Sequence, residues 1–242
     1  MSNSIDVIPL TNLALALIPV LGVIAILHNW SLNYRNSLYA ISRMLVQLLL
    51  IGYFLTYLFE SNSAWIVLAV LSVMVFASSW IALSTMKTQR RILYKKALFS
   101  ITIGGGITLL LITKGVLDFH PWYLPRYLIP LAGMIFANAM NSVSLAAERF
   151  VAEIERDVHY EQARSIALRA SLIPITNSLF AVGFVSLPGM MTGQILSGIS
   201  PLIAVRYQIM VMCMIFGSAG LSAACFLKLI EPHISDFAIK RR

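Results

Sequence analysis

Apolar residues run along this chain in seven long blocks, near residues 7–28, 38–59, 64–86, 97–113, 127–147, 174–196 and 206–229, with short polar stretches between them. A helix needs roughly 20 apolar residues to cross a hydrocarbon core about 30 Å thick. Lipid offers no hydrogen-bonding partner, so such a block must close its backbone bonds within itself as a helix. The pattern predicts an all-α, polytopic integral membrane protein with about seven transmembrane helices, forming a single domain over residues 1–242. The fourth block is short and contains Gly104-Gly105-Gly106. Consecutive glycines weaken a helix but let a neighbouring helix approach closely, and close packing is their expected use.

One polar stretch is longer than a loop. Between residues 148 and 171, Phe150, Ile154 and Val158 recur every four positions, which predicts an amphipathic helix. Arg149 with Glu153, and Glu161 with Arg164, are spaced to pair along it.

Composition agrees with the pattern. Of 242 residues, 59% are hydrophobic and 12% charged, against about 25% charged in soluble domains. The net charge of +8 comes from residues beside apolar blocks. It points to lipid headgroups and membrane orientation, and away from nucleic acid. One set of loops collects Arg35, Arg43, Lys87, Arg90, Arg91, Lys95, Lys96, Arg149, Arg156, Arg164, Arg169, Lys228, Lys240, Arg241 and Arg242. The other collects Lys114, Arg126 and Arg206, a division of 15 against 3 among the 18 Lys and Arg of the chain. Cytoplasmic loops carry the excess, so the N-terminus is expected outside and the C-terminus inside the cell's inner (plasma) membrane. Residues 1–10 carry Asp6 and no basic residue, so the first block reads as a retained helix, not a cleaved leader.

Catalytic signatures are absent from the sequence. It has no GxxxxGK[ST] loop, no HExxH and no CxxC. His28, His120, His159 and His233 stand apart, without metal-ligand spacing. Cys213 and Cys225 fall in one predicted helix, roughly 18 Å apart, too far for a disulfide. No Asp, Glu or Lys lies near the middle of a block, where an ion-coupled carrier usually keeps a carboxylate. The chain is thus expected to be no enzyme and to hold no cofactor, with energy for any transport coming from elsewhere.

The sixth block carries the strongest local signal. Pro188 cannot donate to the Phe184 carbonyl, and Gly189 loosens the next turn, which predicts a helix broken at that point. Broken helices at membrane depth form ion and substrate sites in several transporters. Met190 and Met191 offer thioethers, which favour soft metals, and Thr192 and Gln194 offer oxygens. These four are candidate metal ligands. Asn138 and Asn141, three apart in the fifth block, and Asn177 near the start of the sixth are candidate pathway residues.

The run Gly183-Phe184-Val185-Ser186-Leu187-Pro188-Gly189-Met190-Met191-Thr192-Gly193-Gln194, followed by Ser200-Pro201 and Ala204-Val205-Arg206-Tyr207-Gln208-Ile209, resembles the signature of the FetB family. These are permease subunits of a bacterial ABC transporter implicated in iron export, with plant relatives linked to aluminium tolerance. The resemblance implies a permease powered by a separate ABC ATPase that binds the ATP, with two permease copies enclosing a pathway. It also implies that residues 148–171 dock the ATPase, with Glu153, Arg156, Glu161 and Arg164 as coupling residues. One departure stands out: where the family carries a Leu-Gly-Ala segment, this chain reads Val158-His159-Tyr160-Glu161-Gln162-Ala163, without the glycine. The rival readings are a stand-alone secondary transporter or channel for a small solute or metal, and a membrane enzyme or heptahelical receptor.

Overall fold

The computed structural model describes residues 9–60, 63–86 and 89–231. Lys87, Lys240, Arg241 and Arg242, used above for orientation, and His233 lie outside the described residues. The described chain is helical, and six of its helical segments are long and apolar enough to cross a membrane: Thr11–Asn29, Tyr34–Glu60, Ala64–Ala82, Arg90–Val116, Pro125–Ile154 and Pro201–Leu229. It is a polytopic, all-α membrane chain. It divides into two units, Met1–Ser61 and Asn62–Arg242.

The first unit holds α1 (Leu10–Leu15), α2 (Ile18–Asn29) and α3 (Tyr34–Glu60). Pro19 opens α2, at a helix start where its missing N–H costs nothing. Ser31, at φ 56, turns the chain, and the His28 ring meets the Tyr34 ring edge-on at 5.0 Å. The side chains of α2 are mostly exposed and apolar, as expected of a helix whose solvent is lipid.

The second unit holds α4 (Ala64–Ala82), α5 (Arg90–Leu110) continued by a wide π-helical turn (Leu111–Val116), α6 (Pro125–Ile154), α7 (Tyr160–Ala181), α8 (Gly189–Leu196) and α9 (Pro201–Leu229). Helix α6 is central and packs against α4, α5, α7 and α9. Small residues line the contacts. Ala132, Ala139 and Ala146 on α6, Ala97 on α5, Ala163 and Ala167 on α7, and Ala219 and Ala223 on α9 are all buried. With no hydrophobic drive between helices in lipid, close backbone approach supplies the attraction. The glycine run serves it directly. A Cβ on Gly104 would sit 2.6 Å from the Ser222 backbone nitrogen, and one on Gly105 would sit 2.8 Å from the Phe136 ring. Gly106 has open space around it. Buried hydroxyls close on carbonyls one turn back, as Thr108 Oγ1 does on Gly104 at 2.7 Å. Others cross between helices, as Ser142 Oγ does to Ser171 at 3.4 Å.

Two expectations change here, and a third is refined. The short fourth block is part of a 27-residue helical segment that begins at Arg90. Arg90, Arg91, Lys95 and Lys96 are therefore helical, and the Arg90 guanidinium donates to the Trp80 carbonyl and lies over the Trp80 ring. The polar stretch 148–171 is not one amphipathic helix. It is the end of α6, a turn over residues 155–159 and the start of α7. Phe150 and Ile154 are core residues, so their spacing reports burial against this chain's own α7 and α9, not a free apolar face. The sixth block, 174–196, is interrupted, as Pro188 and Gly189 predicted, but the interruption begins earlier, at Val182. The block comprises the last turns of α7, a non-helical segment and the eight-residue α8, which spans only about 12 Å at 1.5 Å per residue.

Candidate functional site

The interruption between α7 and α8 has a local cause. Val182 leaves helical geometry at ψ 129, and Gly183 follows at φ 87, a left-handed conformation that glycine adopts without steric penalty. The N–H groups of Phe184, Val185 and Ser186 then converge on the Ala181 carbonyl at 3.3, 2.8 and 3.2 Å. Pro188 comes afterwards, extended at ψ 146, as the residue that caps the start of α8, and Gly189 is the first helical residue. The break therefore starts six residues before the proline. Pro188 is spared a lost bond to Phe184, because Phe184 is no longer in a helix. At its far end α8 closes with Gly198 at φ 86. There Gly198 N–H donates to Ile195 and Ile199 N–H to Gln194, the paired bonds of a glycine-terminated helix end. The chain then turns through Ser200 and Pro201 into α9.

Beside this break lies a cavity of about 330 Å³, lined by Met134 and Asn138 of α6, Ile175 and Ser178 of α7, Val182, Ser186 and Pro188 of the break, Gly189 and Met190 of α8, and Gln208, Val211, Met212 and Ile215 of α9. Two neighbours share its walls. One, of about 370 Å³, has Met191, Gln208, Met212 and Cys213 among its lining. The other, of about 270 Å³, has Met134, Met190, Met210, Arg126 and Tyr207. The expected site residues thus divide. Asn138, Pro188, Gly189 and Met190 meet at the central cavity, and Met191 faces the first neighbour. Thr192 Oγ1 turns back to the Pro188 carbonyl at 3.2 Å. The Gln194 amide oxygen is buried without a hydrogen-bond partner, but Gln194 is not in the lining of these cavities. Asn141 and Asn177 are exposed and stand apart from the cavity. The Asn138 amide donates to the Met134 carbonyl at 2.8 Å.

The turn between α6 and α7 is organised by Glu153. Its side chain is 6% exposed and meets Arg149 Nη2 at 2.6 Å and Arg156 Nη1 at 3.6 Å. It is a buried anchor for two more exposed arginines, not a rim group of its own. Arg156 and Glu161 are exposed, and Arg164, half-buried, stands 5.3 Å over the Tyr160 ring. The Tyr160 hydroxyl donates to the Leu227 carbonyl at 3.1 Å, tying the start of α7 to the end of α9. Burial pushes its phenol above the ordinary value, against an opposing pull from Arg164, so it remains a donor throughout the neutral range.

A family model, that of an uncharacterised protein family, UPF0014, matches residues 10–234. The chain belongs to the UPF0014 family. Among UPF0014 relatives, a "probable iron export permease protein FetB" of Escherichia coli is 37% identical over 90% of each chain. The Arabidopsis thaliana "Protein ALUMINUM SENSITIVE 3" is 35% identical over 90% of this chain and 85% of its own. A UPF0014 membrane protein of a Synechocystis strain is 36% identical over 83% and 84%. No solved structure matches.

The residue that sequence reasoning passed over in this UPF0014 chain is Gln208. It lies in the quoted signature, yet on sequence alone it is one polar residue in the first turns of an apolar helix. In the fold it is 5% exposed, lines two of the three cavities, and its amide oxygen has no hydrogen-bond partner. A buried unpartnered amide oxygen costs about 1–3 kcal/mol, so its retention asks for a use.

Proposed function

We propose that this chain is the membrane permease of an ABC transporter that exports a metal ion, driven by a separate ATPase subunit that binds the ATP. The observation that carries the reading is the cavity beside the broken helix, where polar and thioether groups from four elements converge. Lipid does not tolerate irregular backbone unless it is buried or faces a cavity. The Escherichia coli relative is named as a probable iron export permease, which supports a metal ion as the cargo. The lining residues include no carboxylate, which favours an external energy source over ion coupling and disfavours the stand-alone carrier. A second copy of the permease would complete an enclosed pathway, and two-fold symmetry is the default for such a pair.

Basic residues at one set of helix ends support an orientation. The start of α5, the end of α6, the start of α7 and the end of α9 carry Arg90, Arg91, Lys95, Lys96, Arg149, Arg156, Arg164 and Lys228. The opposite ends carry Lys114, Arg126 and Arg206. We assign the basic end to the cytoplasm, with the N-terminus outside, in an inner (plasma) membrane and with seven crossings if α7 and α8 together make one. Single cysteines at Arg91 and Lys114, in a background lacking Cys213 and Cys225, test this in intact cells. An impermeant thiol reagent is expected to label Lys114→Cys only. Labelling of Arg91→Cys alone reverses the orientation.

On this orientation the α6–α7 turn faces the ATPase. Its exposed charges are Glu155, Arg156 and Asp157, with Glu161 following in the first turn of α7, and Glu153 holds Arg156 from beneath. Reversing two of them, Arg156→Glu with Glu161→Lys, is expected to weaken co-purification with the ATPase about tenfold, or about 1.4 kcal/mol, while membrane insertion is unchanged. Glu153→Gln is expected to lower stability as well, because it leaves two arginines without their buried partner. Undiminished complex formation in the double reversal removes this turn from the ATPase contact.

A further inference from the structure

We propose that the central cavity is a cargo site for a soft, singly charged cation of the Cu(I) type, held by the thioethers of Met134, Met190 and Met212 with the Gln208 amide oxygen. This rests on the permease reading and names the class of its cargo. The three methionines belong to three different elements, α6, α8 and α9, and line one cavity. They are therefore not the stripe that a single apolar helix face would produce. Gln208 supplies the independent observation: it is 5% exposed, lines the same cavity, and its oxygen has no hydrogen-bond donor.

The donor chemistry selects the ion. Thioethers are soft ligands and favour Cu(I), whereas hard cations take carboxylate, carbonyl and water oxygens. Among the lining residues none is acidic, and the polar donors are neutral amides and hydroxyls. The Born cost of removing an ion from water grows with the square of its charge, and neutral ligands offset it poorly for a divalent or trivalent ion. A monovalent soft ion meets the smallest desolvation cost and the best-matched ligands. Met190 and Met134 also line the neighbouring cavity with Met210, and Met212 lines the other with Met191. Thioethers thus continue to both sides of the proposed site, which lets the ion leave by exchanging one weak ligand for the next.

The test uses Ag(I), a redox-inert soft monovalent ion, with Fe(II) added anaerobically as the hard-leaning comparison. The full chain is purified in detergent with Cys213→Ser and Cys225→Ser, so that thiolates cannot supply the binding. Equilibrium dialysis is expected to show one Ag(I) per chain, bound at least tenfold more tightly than Fe(II), with sulfur neighbours in the silver X-ray absorption spectrum. Met134→Leu, Met190→Leu and Met212→Leu together keep volume and remove sulfur, and are expected to weaken Ag(I) binding at least 100-fold. Met190→Leu alone, the mildest change, is expected to weaken it about tenfold and guards against a triple variant that fails to fold. Tighter binding of Fe(II) than Ag(I), or Ag(I) binding that Met190→Leu leaves unchanged, overturns the proposal. ATP-driven transport of Fe(II) without Ag(I) binding would defeat this inference alone. Absence of ATP-driven transport of either metal would defeat the permease reading beneath it.

Discussion

Gly104→Ala is expected to lower the stability of the folded chain by about 1–3 kcal/mol, the usual cost of forcing extra volume into a packed core. Gly106→Ala, two residues away, is expected to leave stability unchanged or raise it by up to about 1 kcal/mol. The opposite signs follow from what each new methyl group meets. At Gly104 it meets Ser222, whose backbone nitrogen would lie 2.6 Å away and its Cα 2.9 Å away. Backbone cannot rotate aside as a side chain can, so α5 and α9 must separate. At Gly105 it meets the Phe136 ring at 2.8 Å, which can tilt, and the cost is expected to be intermediate. At Gly106 nothing lies within 4 Å, and alanine's better helix propensity is left to act. Thermal unfolding of the purified variants in detergent ranks them. Indistinguishable midpoints for Gly104→Ala and Gly106→Ala would refute the close approach of α5 to α9.

Gln208→Leu is expected to cut metal transport by at least tenfold while leaving stability equal to or above that of the parent. Leucine fills nearly the same space and removes an amide oxygen that is buried with no partner, and relieving such a group is neutral or stabilising. A purely structural Gln208 would move the two readouts together. A cargo ligand moves them apart, because what destabilises the empty protein is what binds the ion. Reduced stability with transport lost in proportion would assign Gln208 to packing. Gln208→Asn, which keeps the amide but withdraws it by one methylene, is expected to fall between parent and leucine in transport.

The helical architecture was legible because lipid leaves a chain few choices: long apolar blocks must be helices, and six of the helical segments qualify as spans. The glycine run also announced close packing, though not that Gly104 and Gly105 face different helices while Gly106 faces neither. The break near Pro188 was visible, but its origin was not. Proline and glycine both punctuate helices, and only backbone geometry shows that Val182 and Gly183 end α7 while Pro188 begins α8. The α6–α7 turn was misread because Phe150, Ile154 and Val158 keep a period of four across a helix end, and periodicity cannot tell a core face from a free one. Asn141 looked like a partner of Asn138 by spacing, and Asn177 a candidate by its place near the start of the sixth block, yet which residues share a cavity depends on helix rotation. Gln208 could be found only through the convergence of α6, α8 and α9, which no local pattern encodes.

The account stands most directly on transport in vesicles that contain the purified permease and a cognate ATPase with a GxxxxGK[ST] loop, loaded with a metal-sensitive dye. With the ATPase facing the outside buffer, where ATP and either Fe(II) or Ag(I) are supplied, the account predicts ATP-dependent accumulation of metal inside. That uptake is expected to fall at least tenfold with Gln208→Leu and to be absent from vesicles lacking either subunit. Metal entry that proceeds equally without ATP or without the ATPase would show a channel or stand-alone carrier and contradict it.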